Sequence, residues 1–347
     1  MAYNAHAHLL AFYKERVRVG QDVLNTAMQR RNANRDRFRA GLEKEGDPKP
    51  SEFVSQGSYA METMIQSESE ASDIDDGAVF TKESLKGPKG GDKMPADAKE
   101  MVRKAVSLNA GFKTAPEVRK NCVRVYYNDG FHVDIPVYRC WEENGVIRKQ
   151  LASTDWTDSA PEDITKWFQD KVGEKSPDQA DGRQLRRMVR LLKFWSKTRL
   201  TWSMPSGFVL TVLVDENFPI GGWLDRDDMA LLQVMRGIRA NRLFSHQVYR
   251  PVAPRDEITN DRTRTRVSNL VEQLVSAINE LSKLERADCD ELMALKALKT
   301  VFATDFWDGR IKELEDGDGN GGGGGKGGVP PQPKGPVDKR GGTGQYA

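Results

Sequence analysis

Three carboxylates are spaced so that they could act together. Asp73-Ile74-Asp75 sets two acids at i and i+2 on a predicted strand, so both leave one face while Ile74 enters the core. Asp134 stands in Val133-Asp134-Ile135-Pro136, with the same alternation of acid and apolar residue, on the second strand of a predicted hairpin. If these strands are neighbours in one sheet, three like charges converge and raise one another's pKa. Two magnesium ions about 4 Å apart would relieve that repulsion, and magnesium brings triphosphates with it. The chemistry implied is phosphoryl-type transfer on a nucleotide: one ion grips the triphosphate and the other lowers the pKa of an attacking hydroxyl. The plainer alternative for an Asp-x-Asp pair is two solvated acids at a strand end with no metal.

A second element stands upstream. In Gln56-Gly57-Ser58-Tyr59, Ser58 lies 15 residues before Asp73. A Gly-Ser at a turn beside a helix lets backbone N–H groups and a hydroxyl approach phosphate oxygens closely. Farther along, Arg190-Leu191-Leu192-Lys193-Phe194-Trp195 reads as an amphipathic helix segment, and Met204-Pro205-Ser206-Gly207-Phe208 opens a new helix capped by Ser206. Arg183, Arg186, Arg187, Arg190, Lys193 and Lys197 form a basic face on the first of these helices, which by itself reads as solvated.

The elements that must hold these residues follow from periodicity. Residues 9–42 carry an apolar stripe for one long helix, and Asp47-Pro48-Lys49-Pro50 ends it. Residues 51–58 lead into a helix running toward Ile65, and 73–80 read as a buried strand. A helix over 96–108 precedes a hairpin of strands 121–127 and 131–140 around Asn128-Asp129-Gly130, with another strand at 146–152. Beyond about residue 176 the pattern is helical, the longest member spanning 267–284. After Leu314 the chain turns to glycine and then to a Pro/Lys/Gly segment that cannot bury a core and reads as a flexible tail. The expected fold is α+β and bilobed: a palm lobe with its N-terminal scaffold helix over 1–180, a helical lobe over 181–314 and a tail over 315–347.

Composition excludes several classes. With 38% hydrophobic and 30% charged residues, and no run near the roughly 20 apolar residues a bilayer requires, a cytoplasmic enzyme is expected. The start Met1-Ala2-Tyr3-Asn4-Ala5-His6 lacks a secretory pattern. Cys122, Cys140 and Cys289 read as reduced thiols, and a net charge of +2 argues against extended nucleic-acid binding. His132, Trp195, Trp202 and Trp223 read as packing residues, as do Tyr126, Tyr127, Trp141 and Trp156. Asp76 reads as a strand-end or turn residue accompanying Gly77.

The ordered set of Gly57-Ser58, Asp73, Asp75 and Asp134 resembles the DNA-polymerase-β-like nucleotidyltransferase superfamily. More narrowly, Gln56-Gly57-Ser58 with Asp73-Ile74-Asp75-Asp76-Gly77 is similar to the DncV- and cGAS-like enzymes of bacterial antiphage defence, the CD-NTases. The resemblance covers residues 51–314. One departure is Glu62-Thr63, where many relatives have Gly-Thr. The resemblance implies synthesis of a cyclic di- or oligonucleotide second messenger by two-metal nucleotidyl transfer in CBASS-type signalling. It implies Asp73, Asp75 and Asp134 as catalytic residues and as ligands of two Mg2+, with Mn2+ as a substitute, and Asp134 as general base or hydroxyl-orienting carboxylate. Gln56, Gly57, Ser58, Lys193 and Ser206 would bind the triphosphate of ATP or GTP. Implied partners are an effector protein reached through the product and a ubiquitin-transfer-like enzyme that conjugates the chain through Ala347. The alternatives are a terminal nucleotidyltransferase acting on RNA, a small molecule or a protein, and an inactive nucleotide-binding module.

Overall fold

Strand alternation organises the first half of the molecule. In β2 (Asp73–Thr81), Ile74, Ala78 and Phe80 enter the core while Asp73 and Asp75 leave by the other face. The computed structural model describes residues 2–66, 73–87, 89–108, 111–128 and 130–318. On one edge β2 pairs antiparallel with β1 (Glu52–Gln56), which places Gln56 opposite Asp75. On the other edge lie β5 (His132–Ile135) and β6 (Val137–Glu143), both parallel to β2 and in one continuous register. They form a single line broken at Pro136, which has no N–H to contribute to a ladder. Asp75 is thereby set opposite Asp134. The sheet continues through β4 (Val123–Tyr126) to β3 (Glu117–Val118), and through β7 (Val146–Ala152) to β8 (Trp156–Asp158). The predicted 121–140 hairpin is present as β4 and β5, although Asp129 of its turn lies outside the described residues.

The stretch read as one helix over 9–42 is interrupted. Helix α1 (His6–Phe12) passes into a π-turn over Tyr13–Val17, the chain extends at Arg18, and α2 (Gln21–Glu45) starts afresh after Gly20. The apolar stripe is shared between two cores. Leu9, Phe12, Tyr13 and Val17 pack among the C-terminal helices, whereas Ala27, Phe38 and Leu42 pack on the sheet with α4 (Pro95–Ser107). The helix expected to run toward Ile65 is one turn, α3 (Gly57–Ala60), before the chain passes extended through Thr63.

The C-terminal half is helical, as its periodicity predicts. It comprises α5 (Pro161–Lys175), α6 (Gln184–Lys197), α7 (Gly207–Asn217), α8 (Asp227–Asn241), α9 (Asp261–Leu281), α10 (Glu291–Phe302) and α11 (Asp308–Asp318). Helix α11 carries the chain past the expected end at Leu314, and residues 319–347 lie outside the described residues. Among the described residues, no helix is long and apolar enough to cross a membrane. The cysteines are all free.

Candidate active site

The acids come together as the alternation requires. Burial raises the Asp73 carboxyl above its usual range, and the Asp134 charge raises it further. Asp75 is pushed up to about 7 by burial and then by Asp73 and Asp134, with Arg124 opposing. Asp134 itself is 6% exposed, and the Arg124 fork from β4 holds both of its oxygens at 2.7 Å. The neighbouring Cys122 thiol is pushed up to about 12 by burial and by Asp134, so it is held protonated.

Asp76 corrects its strand-end reading. It is 3% exposed in mid-strand and takes a bidentate pair from Arg35 of α2 at 2.6 and 2.7 Å. Successive residues of β2 thus divide their work: Asp73 and Asp75 face the site, and Asp76 anchors the scaffold helix to the back of the sheet.

The Gly-Ser turn is built against the acids. Gly57 has φ +65°, and a Cβ there would stand 2.0 Å from Oδ2 of Asp75. Only glycine lets the turn come this close. Gln56 is positioned from beneath, its Oε1 accepting from the Tyr138 hydroxyl at 2.9 Å. Beyond the turn, Thr63 Oγ1 accepts from Lys193 Nζ at 2.9 Å, and its carbonyl accepts from the same ammonium at 3.3 Å. The Glu62-Thr63 departure therefore keeps the residue that touches Lys193.

Most of the basic face of α6 is not solvated, although Lys197 is exposed and Arg183, just before the helix, is half-buried. Arg186, Arg187, Arg190 and Lys193 are 6%, 3%, 8% and 6% exposed. Their counter-charges come from distant sequence: Arg187 pairs with Asp178 and with the fully buried Asp227, and Arg186 with Glu62. Lys193 has no carboxylate partner among the described residues. Burial, then the charges of Arg190 and Lys197, bring its pKa down to about 7, with Asp73 opposing. Ser206 caps α7, its hydroxyl accepting from the Val209 N–H at 3.4 Å. At the next position the absence of a side chain leaves room for Lys193, since a Cβ on Gly207 would meet its Cε at 3.1 Å.

These residues line one cleft of about 890 Å³ between sheet and helices. Gln56, Gly57, Ser58, Asp73, Asp75, Lys193 and Ser206 all lie on it; Asp134, opposite Asp75 on the adjacent strand, is off the lining. Thr63, Lys197, Trp202 and Arg250 also line the cleft and were not identified as site residues from sequence. Trp202, read as a packing residue, is half-buried on this lining; a lone tryptophan carries no signal that separates packing from ligand contact.

The donor chemistry fits a hard divalent cation: oxygen ligands only, with two carboxyls held above their usual range by burial and then by neighbouring carboxylates. No group of three potential ligands is gathered in metal-holding geometry among the described residues, and Arg124 occupies both oxygens of Asp134.

Residues 51–138 match the family model described as cyclic GMP-AMP synthase DncV-like, nucleotidyltransferase domain. The chain is similar in structure to Escherichia coli MS115-1 CdnC with ATP, at TM-score 0.67 and 15% identity, covering 88% of this chain and 99% of that one. The Bradyrhizobium diazoefficiens CD-NTase CdnG with GTP gives TM-score 0.68 and 14% identity, covering 89% and 98%. Vibrio cholerae DncV, a cyclic AMP-GMP synthase with a linear intermediate bound, gives 0.65 and 17%, covering 88% and 96%.

Proposed function

We propose, on the premise that residues 51–138 are a DncV-like nucleotidyltransferase domain, that this chain joins nucleoside triphosphates into a cyclic di- or oligonucleotide signal. One observation carries this reading. The Gly57-Ser58 turn and the acids of β2, from the sheet, face Lys193 and Ser206, from the helices, across a single cleft of nucleotide-binding size.

In this reading the donor triphosphate lies between the Gly57-Ser58 turn and the α7 N-terminus, where the N–H groups, the Ser206 hydroxyl and protonated Lys193 bind its oxygens. The 2′- or 3′-hydroxyl oxygen of the acceptor attacks the α-phosphorus. The bond from that phosphorus to the bridging oxygen breaks, and pyrophosphate leaves with the electron pair. Asp134 orients the hydroxyl and takes its proton, for which Arg124 must release one carboxylate oxygen. A second transfer within the linear product closes the ring. Asp73, Asp75 and Asp134 would hold Mg2+, or Mn2+ in its place, which supplies charge neutralisation for the triphosphate and acidity for the hydroxyl.

ATP and GTP are the expected substrates, since similar structures hold ATP, GTP or a linear pppApG intermediate. The product would reach an effector protein in antiphage signalling, and Ala347 would serve as a conjugation terminus for a ubiquitin-transfer-like enzyme.

The test incubates the purified chain with labelled ATP, GTP, CTP and UTP and magnesium or manganese, beside Asp73→Ala/Asp75→Ala. Phosphatase-resistant small products that vanish in the double variant are expected. Products formed only on added RNA or protein would point instead to a terminal transferase, and absence of turnover in every condition to a binding module.

A further inference from the structure

Six of the seven tryptophans have a ring partner: Trp141 under Lys82, Trp156 under Arg139, Trp195 under Arg199, Trp167 against Phe168, Trp223 against Phe218 and Trp307 in a phenylalanine cluster. Trp202 has neither an aromatic nor a cationic partner among the described residues, and it lines the cleft. Its backbone N–H donates to the Arg199 carbonyl at 3.0 Å, and the half-buried ring is left for a ligand. Stacking on a flat π system is what such a ring offers.

Arg250 reaches the same cleft from the chain between α8 and α9. A short ladder fixes it there: the Arg250 N–H donates to the Asp256 carbonyl and the Ile258 N–H to the Val248 carbonyl, each at 2.9 Å. The side chain is 17% exposed, with Nε and Nη2 donating to the two oxygens of Asp256 at 2.7 and 3.2 Å. That pairing uses one edge of the guanidinium. The end edge, formed by Nη1 and the second hydrogen of Nη2, has no partner among the described residues. Because Asp256 cancels the charge, this edge offers two parallel donors rather than a free cation. Two side-by-side acceptors, such as those on a purine edge, match this pair of donors. Guanine presents that pair at O6 and N7; adenine sets a donor beside N7.

We infer that Trp202 and Arg250 form a base-reading subsite that stacks a purine and selects guanine through its O6/N7 edge. The inference rests on the nucleotide reading of the cleft and adds which base it prefers. It is tested by binding alone, on the full chain, with GTP, ITP, 7-deaza-GTP and ATP titrated against tryptophan fluorescence and by calorimetry. ITP, which keeps O6 and N7, binds as tightly as GTP; 7-deaza-GTP and ATP bind about tenfold or more weaker. Arg250→Ala removes the GTP advantage and leaves ATP unchanged, and Trp202→Ala weakens all four, with Trp202→Phe restoring them.

Equal binding of GTP and 7-deaza-GTP by the wild-type chain would overturn the inference even if Arg250→Ala failed to fold. So would an Arg250→Ala variant weakened equally toward all four, which would mark a phosphate contact. GTP preference without turnover would keep the subsite and sink the synthase reading; turnover without base preference would do the reverse.

Discussion

The acidic strand β2 and the basic helix α6 both bury like charges, and they balance them differently. On α6, Arg187 is matched by Asp178 and Asp227, Arg186 by Glu62 and carbonyls, and Arg190 by the Tyr13 hydroxyl. On β2, Asp76 is matched by Arg35. Arg190 thus has an uncharged partner, and on the cleft Asp73 and Asp75 on one wall and Lys193 on the other have no ion-pair partner among the described residues. Arg186, Arg187 and Asp76 are neutralised within the fold, and Asp73, Asp75 and Lys193 are not. Cations would settle the first wall and a triphosphate the second.

The largest effect expected from disturbing this arrangement is at Gly57. Gly57→Ala drives a Cβ to within 2.0 Å of the Asp75 carboxylate at φ +65°. Displacing the carboxylate by about an ångström costs roughly a hundredfold in nucleotide turnover, while the backbone strain of about 1–2 kcal/mol leaves the chain folded. Turnover of labelled triphosphates beside a thermal melt checks both. On stability the largest effect is expected from Arg187→Met, which leaves Asp227 buried at 0% exposure without its main counter-charge. A loss of about 3–5 kcal/mol in denaturant unfolding is expected. If stability is unchanged, the matched charges of α6 are not what the comparison takes them to be.

How much of this was legible follows from where the counter-charges come from. Strand alternation is local, so Asp73, Ile74 and Asp75 disclosed their faces, and Ser206 disclosed its cap. The basic face of α6 looked solvated because its partners Glu62, Asp178 and Asp227 are contributed by other elements, and periodicity within one helix carries no information about them. The same limit explains Asp76, whose partner Arg35 lies 41 residues upstream, and the divided helix at 9–42, whose stripe is continuous while its two halves serve different cores. Arg124 was silent for a further reason: a carboxylate that binds cations and one already held by an arginine have the same sequence context. Trp202 and Arg250 gave no signal because their place on the cleft is set by tertiary packing, which local sequence does not report.

The unmatched lysine should reveal itself through stability. The pKa of Lys193 falls from 10.5 in the unfolded chain to about 7 when folded. Between those values the unfolded state holds a proton that the native state has released, so wild-type stability rises with pH across that window. Lys193→Met removes the cost. The variant is expected to be more stable at pH 7 by on the order of 3 kcal/mol, and the difference should shrink toward zero near pH 10.5. Triphosphate binding weakens in the same variant. Urea unfolding at several pH values, with calorimetric binding at one, checks the pair. A variant less stable at pH 7 would show that Lys193 is held by its Thr63 contacts rather than left waiting for an anion.

Asp75 is the mirror case, and its effect is smaller because the side chain keeps partial contact with solvent in the cleft. Its carboxyl rises from 3.8 to about 7 on folding, so here the native state holds the extra proton. The stability this contributes is fully present below pH 3.8 and is lost as pH rises toward 7. Without divalent ions, Asp75→Asn should therefore match wild type at the acid end and exceed it at pH 8 by on the order of 1–2 kcal/mol. Magnesium or manganese should stabilise wild type at pH 8 and leave the asparagine variant nearly unmoved, because the neutral amide neither repels Asp73 nor attracts the ion. An equal response of the two to metal would place the cation elsewhere and end the symmetry between the walls of the cleft.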